Sequence, residues 1–205
     1  MKAKLGCVAM ESRYFYSAVL LGGCLTWASL CYSATKLPEQ DQGWGVALST
    51  GHGTKHVRPY RLSLSKAYGP IWLESNTWPL HFAWESSVAH WHAARPSDNT
   101  GPHTLNLATT GPMFRFQKAT PFLGMLPYIE AGVGASWLSK KEISGRRLSL
   151  HFQFEDKIGV GVRFGPAKAV DIGFRLYHYS NASLKTPNSG MNMYMVSFGV
   201  WMPNH

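Results

Sequence analysis

His178 and Ser180 stand two residues apart at the end of a run that alternates like a β-strand. Val170, Ile172, Phe174, Leu176, His178 and Ser180 share one face, while Asp171, Gly173, Arg175, Tyr177 and Tyr179 share the other, because successive strand residues point to opposite sides. Serine is a weak nucleophile at neutral pH and becomes reactive when a base within hydrogen-bond reach takes its proton. Imidazole is such a base, provided a third group fixes its tautomer. An ester carbonyl attacked by that serine needs donors for the developing oxyanion. The loop opening Asn181-Ala182-Ser183 follows the serine directly and offers backbone N–H groups. His-x-Ser alone is a weak motif. Its place at the end of an otherwise apolar stripe points to an enzyme whose substrate comes from lipid.

The elements that position this pair read as strands throughout. The clearest runs from Arg147 to Phe164. Leu148, Leu150, Phe152, Phe154, Asp156, Ile158, Val160, Val162 and Phe164 take one face, and polar residues or glycine take the other. An amphipathic helix cannot keep strict two-residue order over that length. Further strands are predicted at Trp44–Thr50, Tyr60–Ser65, Trp78–Trp84, Leu105–Phe116, Tyr128–Leu138, Val170–Ser180 and Tyr194–Trp201, making eight. The fourth changes phase at Gly111-Pro112, which predicts a bulge or bend there.

Two all-β architectures fit eight such strands. A soluble sandwich turns its apolar faces together; a membrane barrel turns them to lipid and keeps a polar interior. The opposite faces mix glycine with Glu130, Glu155, Arg163, Asp171 and Arg175, as a narrow lumen packed with charge would. Trp and Tyr cluster near strand ends, as interfacial girdles do. The expected fold is therefore an eight-stranded antiparallel transmembrane β-barrel. Short turns on one side and longer loops on the other place the end of the seventh strand, and with it His178 and Ser180, at the outer leaflet.

Residues 1–34 read as a secretory leader, cleaved near Ser33 and Ala34, which leaves residues 35–205 as one barrel domain. Lys2, Lys4 and Arg13 precede the apolar run Ala18–Ser33. All three cysteines, Cys7, Cys24 and Cys31, fall in this leader, so the exported part has no thiol or disulfide chemistry. Its loss takes the net charge from +9 to +7, a balance suited to an anionic membrane surface. No later segment has the roughly 20 consecutive apolar residues of a membrane helix, which leaves a barrel open.

Phe154-Glu155-Asp156-Lys157-Ile158-Gly159, His178-Tyr179-Ser180-Asn181-Ala182 and Pro187-Asn188-Ser189-Gly190 together resemble the outer-membrane lipid A 3-O-deacylases, the PagL family. The resemblance runs from about Pro127 to Trp201. It implies an eight-stranded barrel of the Gram-negative outer membrane that removes the ester-linked acyl chain at position 3 of lipid A, without a cofactor. It implies Ser180 as nucleophile, His178 as base and the Asn181 loop as oxyanion site. Lipopolysaccharide and outer-membrane lipids are the expected partners, with no nucleic acid. A homodimer is an open reading of the assembly. Rival readings are an outer-membrane phospholipase or acyltransferase, and a non-catalytic structural or adhesive barrel.

The family's acid is a glutamate just after the Pro-Asn-x-Gly turn, and Asn192 holds that position here. An amide oxygen can orient a histidine but brings no charge. Asp156 is the alternative acid. It is the one polar residue on its strand's apolar face, and pairing Phe164 with Val170 brings Asp156 beside His178. A carboxylate facing lipid is costly and should have a partner, so a contact with His178 is expected, with Asp156→Asn losing more activity than Asn192→Ala. Asn181, Ala182, Ser183 and Asn188 are read as loop support around the oxyanion. Lys140, Lys141, Arg146 and Arg147 in the basic loop after the fifth strand, with Lys185, are read as contacts for substrate phosphate. Glu130, Glu155 and Arg175 are read as interior structural charges. His90-Trp91-His92 lacks a third nearby ligand for a metal and is placed at a rim or loop.

Overall fold

The computed structural model describes residues 42–73, 77–93 and 101–203. The leader and its cysteines lie outside them. Eight antiparallel strands close into a barrel: β1 (Gln42–Gly53), β2 (Val57–Trp72), β3 (Leu80–Ala93), β4 (Thr104–Gln117), β5 (Leu126–Leu138), β6 (Phe152–Phe164), β7 (Val170–Ser180) and β8 (Met191–Pro203). Each strand pairs with its sequence neighbours, and β8 closes on β1 with Val46 opposite Val200.

The alternation has an unambiguous sense. Leu48, Val88, Ile129, Val133, Ile158, Val160, Val196 and Phe198 all point outward and are exposed. A continuous apolar belt of this kind is untenable in water and is what a bilayer requires of a barrel wall. The sandwich reading fails on this point, because the apolar faces do not meet each other.

Inside, the lumen has two zones. In the middle, Arg61 bridges Glu85 at 3.1 Å and Glu155 at 2.7 Å, and Lys157 adds to Glu85 at 2.6 Å. Arg115 joins Glu130 and Asp171 at 2.8 and 2.9 Å, and Arg175 meets Glu130. Charges buried this way must be paired, since an isolated one would be prohibitively costly. Toward the end where β7 finishes, hereafter the site end, the lumen turns apolar: Trp91, Leu105, Leu107, Leu138, Leu148, Met191 and Met193 form a buried plug.

That plug corrects several sequence expectations. The phase change at Gly111-Pro112 is real in hydropathy but not in the backbone. Thr110 pairs with Ala135 and Met113 with Gly132 in one unbroken register. Leu105 and Leu107 simply face inward, into the plug, whereas Phe114 faces out. The register shifts occur instead in β2, between Ala67 and Gly69 and between Pro70 and Trp72. β3 runs well past the predicted Trp84, because its outward residues Ser86, His90 and His92 are polar while inward Trp91 is buried. His90-Trp91-His92 is therefore strand, not loop, and His90 Nδ1 bonds Asn106 Oδ1 at 2.7 Å. β6 starts at Phe152, not Arg147. Leu148, expected to face lipid, is fully buried in the plug, where Gln153 Nε2 donates to its carbonyl at 3.3 Å.

Candidate functional site

The register of β6, β7 and β8 decides which side chains meet. Phe164 pairs with Val170, Ile158 with Leu176 and Asp156 with His178. On the other side His178 pairs with Asn192. Asp156, His178 and Asn192 thus form one outward row across three strands, and all three are exposed. Ser180 lies two residues beyond His178 on the same face, opposite Phe154, and is half-buried.

Within this row the hydrogen bond goes one way. His178 Nδ1 lies 2.6 Å from Asn192 Oδ1. An amide oxygen has no proton to give, so Nδ1 donates and Nε2 keeps its lone pair. The contact therefore selects the tautomer a general base needs. Asp156 is beside His178 in register, yet it makes no hydrogen bond or ion pair with it. The expected Asp156 contact is a cross-strand neighbourhood, and the orienting bond belongs to Asn192. No hydrogen bond joins Ser180 Oγ to His178 in this structure.

Asn192 is itself held by a residue that the sequence reading missed. Its N–H donates to Thr54 Oγ1 at 3.1 Å, and the same hydroxyl donates to its carbonyl at 3.3 Å. Thr54 opens the turn between β1 and β2, one residue past the last ladder pair, Gly53 with Met193. One hydroxyl thereby satisfies both backbone groups of Asn192 where the ladder ends. Only the strand phase of β1, continued past Gly53, marks Thr54 in the sequence.

The loop after the serine is braced rather than open. Asn181 is fully buried, and its Nδ2 donates to Leu148 O at 3.0 Å and Lys185 O at 2.8 Å. Its N–H donates to Asn188 Oδ1 at 3.3 Å. Asn188 thus ties the loop together and occupies the first N–H after the serine. Ala182 and Ser183 follow at φ 49° and 62°, and their N–H groups have no partner among the described residues. They are unused donors in the loop that follows Ser180. Gly190 closes the far side at φ 59°, where an added Cβ would lie 3.1 Å from His178 Cε1. Glycine is required there for its backbone angle and for room beside the imidazole.

The basic loop divides by role. Arg146 donates to the carbonyls of Ser189 and Gly190, so it braces the turn that flanks His178 and is not a free phosphate contact. Arg147 lies 3.7 Å from Glu142. Ser149 Oγ donates to Pro187 O at 2.7 Å, tying the two loops together. Lys140, Lys141 and Lys185 remain exposed.

Comparison with known proteins agrees with this barrel and its motifs. The family model for lipid A 3-O-deacylase (PagL) matches residues 58–201. The lipid A deacylase PagL of Pseudomonas aeruginosa is 31% identical over 159 residues, covering 78% of this chain and 87% of that protein. The protein of the same name from Bordetella bronchiseptica is 31% identical over 181 residues, covering 87% and 93%. The crystal structure of the outer membrane enzyme PagL superimposes with a TM-score of 0.69 at 28% identity, covering 77% of this chain and 99% of the other. With an apolar belt facing lipid and a family match over most of its length, the chain belongs to the lipid A 3-O-deacylase (PagL) family of outer-membrane β-barrel ester hydrolases.

Proposed function

We propose that this protein hydrolyses the ester at position 3 of lipid A in the outer leaflet, with Ser180 as nucleophile and His178 as base. The observation that carries the reading is the bond from His178 Nδ1 to Asn192 Oδ1, made on the lipid-facing surface two residues from a serine. His178 Nε2 takes the Ser180 Oγ proton as Oγ attacks the acyl carbonyl. The carbonyl oxygen gains charge beside the Ala182 and Ser183 N–H groups. The ester bond to the sugar breaks, and the proton on His178 passes to the departing sugar hydroxyl. Water then attacks acyl-Ser180 by the same route, releasing the fatty acid and restoring the serine.

The two tasks of the family's glutamate are divided in this chain. Asn192 orients the imidazole but carries no charge. Asp156, the register neighbour on the other side, supplies negative charge near the imidazolium that forms during the reaction. Arg146 and Asn188 hold the loops that frame the pair.

The test is to express wild type and Ser180→Ala in an outer membrane and to weigh the extracted lipid A. Loss of one hydroxyacyl unit with wild type alone is the expected result. Unchanged lipid A with folded wild-type barrel in the membrane would favour a non-catalytic barrel. Loss of acyl chains from phospholipid instead would favour a phospholipase.

A further inference from the structure

The outward face from β8 round to β5 carries a second feature that the His178 row does not use. Phe198, Leu48, Leu62, Val88, Ala108 and Trp137 make one register row across six strands. Between the bulky ends of that row the surface sinks into an open groove of about 1080 Å³, whose lining does not include His178 or Ser180. Two residues further toward the site end the row reads Thr50, Tyr60, His90 and Asn106. These are hydrogen-bonding side chains, and His90 Nδ1 lies 2.7 Å from Asn106 Oδ1. Two residues further again, Arg58 and His92 are register partners, both exposed. Lys55 and His56 of the adjoining turn are exposed beside them.

Among the described residues no carboxylate pairs with Lys55 or Arg58. Among the described residues, Glu142 and Asp156 are the acids outside the lumen. Glu142 is engaged with Arg147, and Asp156 lies on the far side of His178. Apolar groove, polar row and the row of Arg58 and His92 follow one another along the strands in the order acyl chain, hydroxyl or ester, and phosphate follow along a phosphorylated lipid. The bank also adjoins the catalytic row, because Thr54, which holds Asn192, precedes Lys55 directly.

We propose that this face binds a phosphorylated end of the substrate lipid, with Arg58 and His92 holding the phosphate and an acyl chain lying in the groove below. The proposal rests on the lipid A reading above and adds where the headgroup is gripped. A guanidinium offers a planar pair of N–H donors that matches two phosphate oxygens, and the imidazole adds a third donor. Lys140 and Lys141 follow Ser139, whose N–H donates to the Asn106 carbonyl at 2.8 Å, so they border this bank on its β4 side.

The test compares two substrates in detergent micelles, bisphosphorylated lipid A and lipid A stripped of phosphate. Arg58→Gln with His92→Gln should raise KM for the phosphorylated lipid about tenfold, with kcat within about twofold of wild type. On the stripped lipid, variant and wild type should coincide. If the double variant fails to form a heat-modifiable barrel, Arg58→Gln alone serves, with the same contrast between substrates. An unchanged KM on phosphorylated lipid A, or an equal rise on both substrates, overturns the proposal while leaving the deacylase reading intact. A wild-type protein that hydrolyses neither lipid overturns the deacylase reading and this one with it.

Discussion

Glu155 and Asp156 are adjacent in sequence and opposite in circumstance. Glu155 points into the lumen, is buried, and accepts two bonds from Arg61 at 2.7 and 3.0 Å. Asp156 points to the membrane side, is exposed, and has no ion-pair partner, with His178 opposite it in register. The next strand repeats the contrast. Tyr179 is buried, takes a bond from Arg61 at 3.1 Å and packs edge-on against Trp91, while His178 and Ser180 on either side face outward. On a barrel strand the parity of the residue number decides whether a polar group enters the lumen or faces outward. The inner charges named above are paired with one another, as a scaffold requires. The outer set keeps unused valence: His178 Nε2, the Ser180 hydroxyl and two loop N–H groups.

This contrast can be broken at either member. Glu155→Gln leaves Arg61 buried with one of its two acidic partners gone, which should cost about 3–5 kcal/mol of barrel stability. The measurement is the urea midpoint of the heat-modifiable barrel, with kcat of the folded fraction unchanged. A large loss of kcat in fully folded protein would place Glu155 in the chemistry and dissolve the distinction. Asn192→Ala should do the reverse. It releases the imidazole tautomer, lowers kcat about 10- to 100-fold, and leaves the urea midpoint close to wild type. Asp156→Asn should have the smallest effect, about two- to fivefold in kcat, because an exposed charge acting without a hydrogen bond contributes little. This order reverses the one expected from sequence. A loss at Asp156 exceeding that at Asn192 would restore the carboxylate as the principal acid.

Much of the architecture was legible because a barrel wall between lipid and a charged lumen enforces strict alternation. The pairing of Asp156 with His178 followed from one assumption, a tight turn at Pro166–Lys168, and the register bears it out. What alternation hid was the site end of the lumen. There the interior is apolar, so Leu105, Leu107, Trp91 and Leu148 invert the pattern, and strand ends, a bulge and the start of β6 were misplaced. The outward, same-face placement of His178 and Ser180 was legible from residue type and spacing. Their support was less so. Thr54 acts through backbone groups, and Arg146 looked like a surface cation until its guanidinium was seen on the Ser189 and Gly190 carbonyls. Contacts between loops distant in sequence leave no periodic mark.

The central claim is that one outward serine is activated by its neighbouring histidine. A fluorophosphonate probe tests it directly, since such a probe forms a stable ester only with an activated serine hydroxyl. Folded wild-type protein should carry the adduct on the peptide containing Ser180, and His178→Ala should abolish it while the inward Ser63, Ser65 and Ser197 stay unlabelled in both. Labelling of Ser180 that persists without His178, or no adduct at Ser180 in a protein that deacylates lipid A, would contradict the account.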